Sequence, residues 1–181
     1  MHTKRVVKLA AVLMALAIGQ AHALDARCPG GVADGSLDAA SRPDENLQCR
    51  FIGRIFCFVE QYRNGGLKAS DAVAHTVDNL KKVGRTGSHL SNDFTPLVES
   101  AADSLYRRDQ TTPWTAYYQA VYACGLDLRV TDEAARRKLG PAWDRAAQAC
   151  EKQFPGTGTG YPNDGLRDCL EKAMNDLVAR K

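Results

Sequence analysis

The sequence predicts an all-α protein, a compact bundle of five to seven helices braced by disulfides. Three observations predict this fold: apolar residues recur at helical spacing, no segment alternates convincingly like a β-strand, and six cysteines follow a segment typical of export. We expect a single helical domain over residues 44–181. An irregular N-terminal arm, rich in Gly, Pro, Asp and Ser, is expected before it at residues 24–43.

The first 23 residues have the pattern of a secretory signal peptide. A basic start leads into an uncharged apolar run at residues 9–18, and residues 21–23 form an A-x-A cleavage pattern. The apolar run is shorter than the roughly 20 residues of a membrane-spanning helix. We therefore expect cleavage near Ala23, a periplasmic or secreted location, and no insertion into the membrane.

The distribution of charge argues against nucleic acid as a partner. The chain has 24 Lys and Arg against 21 Asp and Glu, but Lys4, Arg5 and Lys8 lie in the signal peptide and no acid precedes Asp25. Basic and acidic residues are therefore equal in number after residue 23, and no run of five like charges remains. The strongly basic surface that attracts nucleic acid or anionic membranes is not expected.

Two helices are predicted before residue 84. Apolar side chains cover more than half of the circumference of a helix over residues 44–63, so this helix should lie at the centre of the bundle. The glycines within residues 64–66 end it. Ser70 is the expected N-cap of the second helix, which ends at Gly84, and residues 84–92 then form a polar loop.

The third and fourth helices are predicted from proline positions and apolar spacing. The third spans residues 93–108, and Pro96 fits only in its first turn. Thr112 and Pro113 open the fourth helix, as an N-cap followed by proline at the first helical position. This helix has a dense aromatic face made of Trp114, Tyr117, Tyr118 and Tyr122.

The last two helices flank a glycine-rich loop at residues 155–165. Residues 131–133 cap the fifth helix, which Gly140 and Pro141 are expected to kink or divide. Residues 163–165, with the sequence Asn-Asp-Gly, are expected to contain the N-cap of the sixth helix. Its apolar face is one-sided and consists of Leu166, Cys169, Leu170, Ala173, Met174, Leu177 and Val178.

The cysteines predict three disulfides, because an exported chain meets an oxidising compartment. They are Cys28, Cys49, Cys57, Cys124, Cys150 and Cys169. No two have the C-x-x-C spacing of redox, haem or zinc motifs, so we expect no metal and no cofactor. Helix geometry favours three pairs: Cys150–Cys169 across the last hairpin, Cys57–Cys124 between helix centres, and Cys28–Cys49 fixing the arm.

Few residues are placed for catalysis. His75 is expected at a surface or boundary position of the second helix, and His89 lies in a loop without an identified nucleophile. Glu60 and Glu99 are candidate paired carboxylates for hydrolysis of peptidoglycan, although a solvated boundary position is the simpler interpretation of each. We therefore expect a protein that is not an enzyme, with a small cell-envelope hydrolase as the alternative.

The candidate partner-binding residues lie in two long polar loops and on one aromatic face. Arg85 and His89 belong to the first loop, and Tyr161 is the large side chain of the second. Trp114 and Tyr118 represent the aromatic face of the fourth helix. For these aromatic residues, packing in the core is the alternative interpretation.

Two short motifs resemble a known family. Residues 57–62, CFVEQY, lie in an early helix, and residues 106–109, YRRD, run on to Pro113 and the helix with Cys124. Over residues 45–128 the chain resembles periplasmic immunity proteins that neutralise the peptidoglycan amidase effectors of type VI secretion. The resemblance implies a helical protein that plugs the active site of a toxin with a loop or a helix end, without chemistry of its own.

Overall fold

The structure, a computed structural model, describes residue 28 and residues 47–84, 94–155 and 163–180. These residues form six helices and no strand, which confirms the predicted all-α bundle. The helices are α1 (Leu47–Asn64), α2 (Ala69–Gly84), α3 (Thr95–Tyr106), α4 (Pro113–Arg129), α5 (Glu133–Gln153) and α6 (Asp164–Val178). Within this part of the chain, no helix has the length and apolar character needed to cross a membrane. The predicted signal peptide and most of the arm lie outside the described residues.

Side-chain caps fix the starts of the last three helices. Each capping oxygen accepts a hydrogen bond from a backbone N–H of the first turn, which has no partner inside the helix. The caps are Thr112 to the N–H of Thr115 at 3.1 Å, Asp132 to Ala134 at 3.0 Å, and Asn163 to Leu166 at 3.1 Å. The predicted starts of these helices are confirmed, as is the place of Pro96 in the first turn of α3.

One expectation about a helix boundary is wrong, and one of the two alternatives for Pro141, a division of the helix, is excluded. Ser70 is not the N-cap of α2, because the helix begins at Ala69 and the carbonyl of Lys68 already accepts the N–H of Ala72 at 2.9 Å. Pro141 does not divide α5, which is continuous. Apolar side chains on both sides of the proline pack against the same core cluster, and this shared packing keeps the helix in one piece.

Helix α1 packs against α4 at very short range. An added Cβ at Gly53 would lie 2.5 Å from Cγ2 of Val121 and 2.9 Å from the ring of Tyr117, so only glycine fits there. The disulfide between Cys49 and Cys124 joins the same two helices, with 5.4 Å between the Cα atoms. Cys49 of α1 thus lies opposite Cys124 of α4, whereas Gly53, further along α1, lies opposite the earlier residues Val121 and Tyr117. The two helices are therefore antiparallel.

The disulfides correct two of the three predicted pairs. The structure has Cys28–Cys57, Cys49–Cys124 and Cys150–Cys169, and no cysteine is free. The number of bridges and the last pair are confirmed, but Cys57–Cys124 and Cys28–Cys49 are wrong. Cys49 and Cys57 are eight residues apart on α1, which is about 12 Å along its axis. Once Cys49 lies opposite Cys124, Cys57 is out of reach and pairs with Cys28 instead.

Two apolar clusters lie on either side of α1. One is formed mainly by residues of α1, α2 and α3, such as Ile55, Val59 and Leu105, and the other mainly by residues of α1, α4, α5 and α6, such as Tyr118 and Leu170. Within the second cluster, α5 packs mainly against α6 and touches α4 much less. This uneven packing leaves a gap between α4 and α5, which contains the candidate site.

Replacement of Gly53 tests the close approach of α1 to α4. We expect Gly53→Ala to lower the free energy of unfolding by about 1–3 kcal/mol, because the methyl group must push apart two packed helices. Gly125→Ala in α4 is the matched control, since its Cβ meets only the flexible Met174 side chain, at 2.9 Å. The loss of unfolding free energy should be much smaller for this control. Alanine favours a helix over glycine by up to about 1 kcal/mol, and this gain offsets the small rearrangement of Met174. Equal losses in urea-induced unfolding would contradict this view of the interface.

Candidate functional site

A groove of ≈ 990 Å³ with the shape of a binding site lies between α4 and α5. Three alanines, Ala120 and Ala123 of α4 and Ala147 of α5, line it, and we refer to them as its floor. Because alanine side chains are small, they do not fill the space between the two helices. A volume near 1,000 Å³ is at the upper end of ordinary ligand sites.

The walls of the groove combine apolar and polar side chains. Ile52 and Phe56 of α1 form one side, and both are half-buried. On the other side, Trp143 of α5 is buried and Gln148 is exposed. An apolar floor with polar groups at the rim is the usual composition of a recognition surface.

One end of the groove is closed by a network of polar side chains. The hydroxyl of Thr111 donates to Oε1 of Glu151, and Nε2 of Gln119 donates to Oε2 of the same carboxylate at 3.2 Å. The guanidinium of Arg108 reaches Oε1 of Gln119 at 3.4 Å. Both oxygens of Glu151 are thus engaged in bonds that tie α5 to α4 and to the segment before α4.

Glu60 lies directly behind this network and is fully buried. Its Oε1 accepts the backbone N–H of Thr111 at 2.6 Å, and its Oε2 is 3.3 Å from Nη1 of Arg63. Burial raises the pKa of Glu60, while the bonds from Thr111 and Arg63 favour the ionised form. Glu60 does not line the groove, so its carboxylate holds the groove end from inside and does not face a ligand.

Arg63 and Asn64 attach the segment before α4 to the end of α1. Arg63 donates to the carbonyls of Arg108 and of Asp109, the latter at 3.4 Å, and its guanidinium lies 5.3 Å from the ring centre of Tyr106. Nδ2 of Asn64 donates to the carbonyl of Thr111 at 2.7 Å. Residues 107–112 are therefore held in one conformation by the last turn of α1.

The predicted partner-binding residues are placed only in part. Arg85, His89 and Tyr161 lie outside the described residues. Trp114 is half-buried, and Tyr118 is 5% exposed and packs 5.6 Å from the ring of Trp114. Neither lines the groove. The burial of Tyr118 favours core packing, so its role in partner binding stays a prediction without support from its exposure.

The predicted catalytic candidates that the structure describes lie on three different helices. His75 is exposed on α2, as expected, with its ring 5.3 Å from that of Tyr62. Glu99 is exposed on α3, whereas Glu60 is buried in α1. The solvated position expected for Glu60 is therefore wrong: it lies among apolar residues and needs the donors that Thr111 and Arg63 provide. Among the described residues, no group of three His, Cys, Asp or Glu side chains is arranged to hold a metal ion.

Sequence reasoning did not single out Thr111, Gln119 and Glu151. Their spacing along the chain shows no motif, because they come from a connecting segment and two different helices. A local signal did exist for Glu60, which stands within an apolar stretch with Arg63 one helical turn later. That spacing is typical of an ion pair that allows a carboxylate to be buried.

Comparisons with protein-family models, with curated proteins and with solved structures find no match to this chain. The groove and its polar end are therefore interpreted from their own geometry.

The pH dependence of stability tests the burial of Glu60. Because its pKa is raised in the folded protein, its contribution to stability is fully present below the ordinary Glu pKa and is lost as the pH rises through the raised value. We expect Glu60→Gln to gain stability relative to the original protein when the pH is raised from about 4 to about 8, since the amide never carries a buried charge.

The measurement is the difference in Tm between the two proteins across this pH range. Glu99→Gln removes an exposed carboxylate from α3 and is the control for the loss of one negative charge. If the Glu60→Gln protein instead lost stability relative to the original as the pH rose, Arg63 and Thr111 would outweigh burial and the account of Glu60 would be incorrect.

Proposed function

We propose that this is an exported binding protein without enzymatic activity, and that it holds a protein partner in the α4–α5 groove. The observation that carries the proposal is the groove itself, whose alanine floor gives space for side chains of a partner. The carboxylates at its polar end support binding over hydrolysis. Glu60 faces the interior, and Glu151 is engaged by Thr111 and Gln119.

Export is supported by the cysteines and by the leader sequence. All six cysteines are paired, which is compatible with an oxidising compartment outside the cytosol. The basic and apolar pattern of residues 1–23 predicts a signal peptide. We therefore place the protein in the periplasm or outside the cell.

Within this proposal, the partner is an effector that degrades the cell wall, and the protein is its immunity protein. The support comes from the two motifs that resemble such proteins, because they meet in space. Glu60 of the first motif accepts the N–H of Thr111, which belongs to the stretch that follows the second motif. Arg63 next to the first motif binds the carbonyls of Arg108 and Asp109 in the second. Residues of both motifs and their neighbours thus hold the segment at the closed end of the groove.

A variant that fills the groove tests the proposal. Gln148 is exposed on the α5 wall, and Gln148→Trp places a large side chain in the groove without entering the core. Gln153→Trp is the matched control, because Gln153 is exposed on the same helix and does not line the groove. We expect a partner captured from the cell envelope to bind the Gln148 variant about tenfold or more weakly, and the Gln153 variant as before.

The partner is identified by mass spectrometry, purified, and measured by calorimetry against all three proteins after their Tm values are shown to agree. Inhibition of the partner's peptidoglycan hydrolysis would support the immunity role. Unchanged affinity of the Gln148 variant would place the interface elsewhere. Turnover of peptidoglycan by the protein alone would favour the hydrolase instead.

A further inference from the structure

We propose that the α4–α5 groove selects a positively charged, amphipathic segment of its protein partner. This inference rests on the proposed function, because it assumes that the groove is the binding surface. It adds the chemistry of the segment that enters. Apolar side chains of the segment would lie on the alanine floor, and its Lys or Arg side chains would reach the acidic rim.

The charge of the groove lining carries this inference. The lining has four acids, Asp109, Asp127, Asp144 and Glu151, and two bases, Arg108 and Lys152. The chain after residue 23 has equal numbers of acidic and basic residues, so the groove is more acidic than the protein as a whole. A cleft with one predominant sign of charge concentrates ligands of the opposite sign.

The charge of Arg108 is already offset by the protein. Glu60 and Glu151 attract its guanidinium, with a smaller contribution from Asp144. Lys152 is thus the one other base of the lining, set against the exposed carboxylates of Asp109, Asp127 and Asp144. A cationic segment would meet three exposed carboxylates of opposite charge in the groove, whereas an anionic segment would meet mainly Lys152.

The position of the acids gives the groove a direction. Gln119 and Glu151 meet at the closed end, and Asp127 is eight residues further along α4, about 12 Å away along the axis. Asp144 is seven residues before Glu151 on α5, about 10 Å along that axis. The alanines lie between these two levels. The groove therefore fits about two helical turns of a segment whose basic side chains gather at the end with Asp127 and Asp144.

Two synthetic peptides test this inference by calorimetry with the full protein. One is an amphipathic helix of Leu and Lys, and the other has Glu in place of every Lys. We expect the Lys peptide to bind and the Glu peptide not to, with an affinity that falls as salt is added. Spermidine serves as a small cation without apolar surface.

A double variant locates the binding. Asp127→Asn with Asp144→Asn should weaken the Lys peptide by about fivefold or more, since two exposed attractive pairs are lost. Asp78→Asn with Glu99→Gln removes the same charge from exposed positions on α2 and α3, outside the groove, and should leave the affinity unchanged. Both variants change exposed side chains, and their Tm values confirm folding.

Three results would overturn the inference: equal binding of both peptides, equal weakening by the two double variants, or spermidine binding as tightly as the Lys peptide. Failure here is separate from failure of the proposed function. Suppose that Gln148→Trp abolishes capture of the natural partner, but the Lys peptide binds no more tightly than the Glu peptide. The groove is then supported as the binding surface, and its proposed preference for a cationic segment is wrong. If Gln148→Trp leaves capture intact, the groove proposal itself fails.

Discussion

The close contact of α1 with α4 at Gly53 is the constraint on which the rest of the structure depends. The backbone of α1 approaches Val121 and Tyr117 so closely that no side chain fits between them, and the Cys49–Cys124 disulfide locks the same register. This register decides that Cys57 pairs with Cys28. It also sets Ile52 and Phe56 beside the alanines of α4, where they become a wall of the groove.

Burial of Glu60 connects this core to the candidate site. A carboxylate without water requires donors, and the chain provides them from Arg63 and from the backbone of Thr111. These bonds to Glu60, together with those of Arg63 to the carbonyls of Arg108 and Asp109, hold residues 107–112 against the end of α1. The hydroxyl of Thr111 then fixes Glu151 and with it the position of α5 at the closed end. The shape of the groove thus depends on one buried carboxyl group.

The sequence predicts those parts of this protein that depend on neighbouring residues. Helical periodicity gives six helices within the predicted range, and the caps at Thr112 and Asn163 act within three residues. Cys150 and Cys169 are joined by one short connection, so their pairing follows from the hairpin. The other two disulfides depend on how far α1 slides along α4, which local pattern does not encode.

The groove cannot be predicted from the sequence either, because it also depends on how distant segments pack together. Nothing in the sequence distinguishes the alanines of the groove floor, Ala120, Ala123 and Ala147, from other small residues. They line a groove only because α5 packs mainly against α6 and makes few contacts with α4. Thr111, Gln119 and Glu151 come together from three segments. The sequence predicts Arg85, His89 and Tyr161 as contact residues from the length and polarity of their loops, and this criterion does not detect a concave surface between two helices.

Mapping the disulfides of the native protein tests the register of α1 on α4 most directly. Trypsin cleaves after Arg50 and Arg54, and a second digestion with a Glu-specific protease cleaves after Glu45, so that Cys28, Cys49 and Cys57 lie on separate peptides. We expect mass spectrometry without reduction to find one peptide pair that links Cys49 to Cys124 and another that links Cys28 to Cys57. A link between Cys57 and Cys124, or between Cys28 and Cys49, would contradict this register.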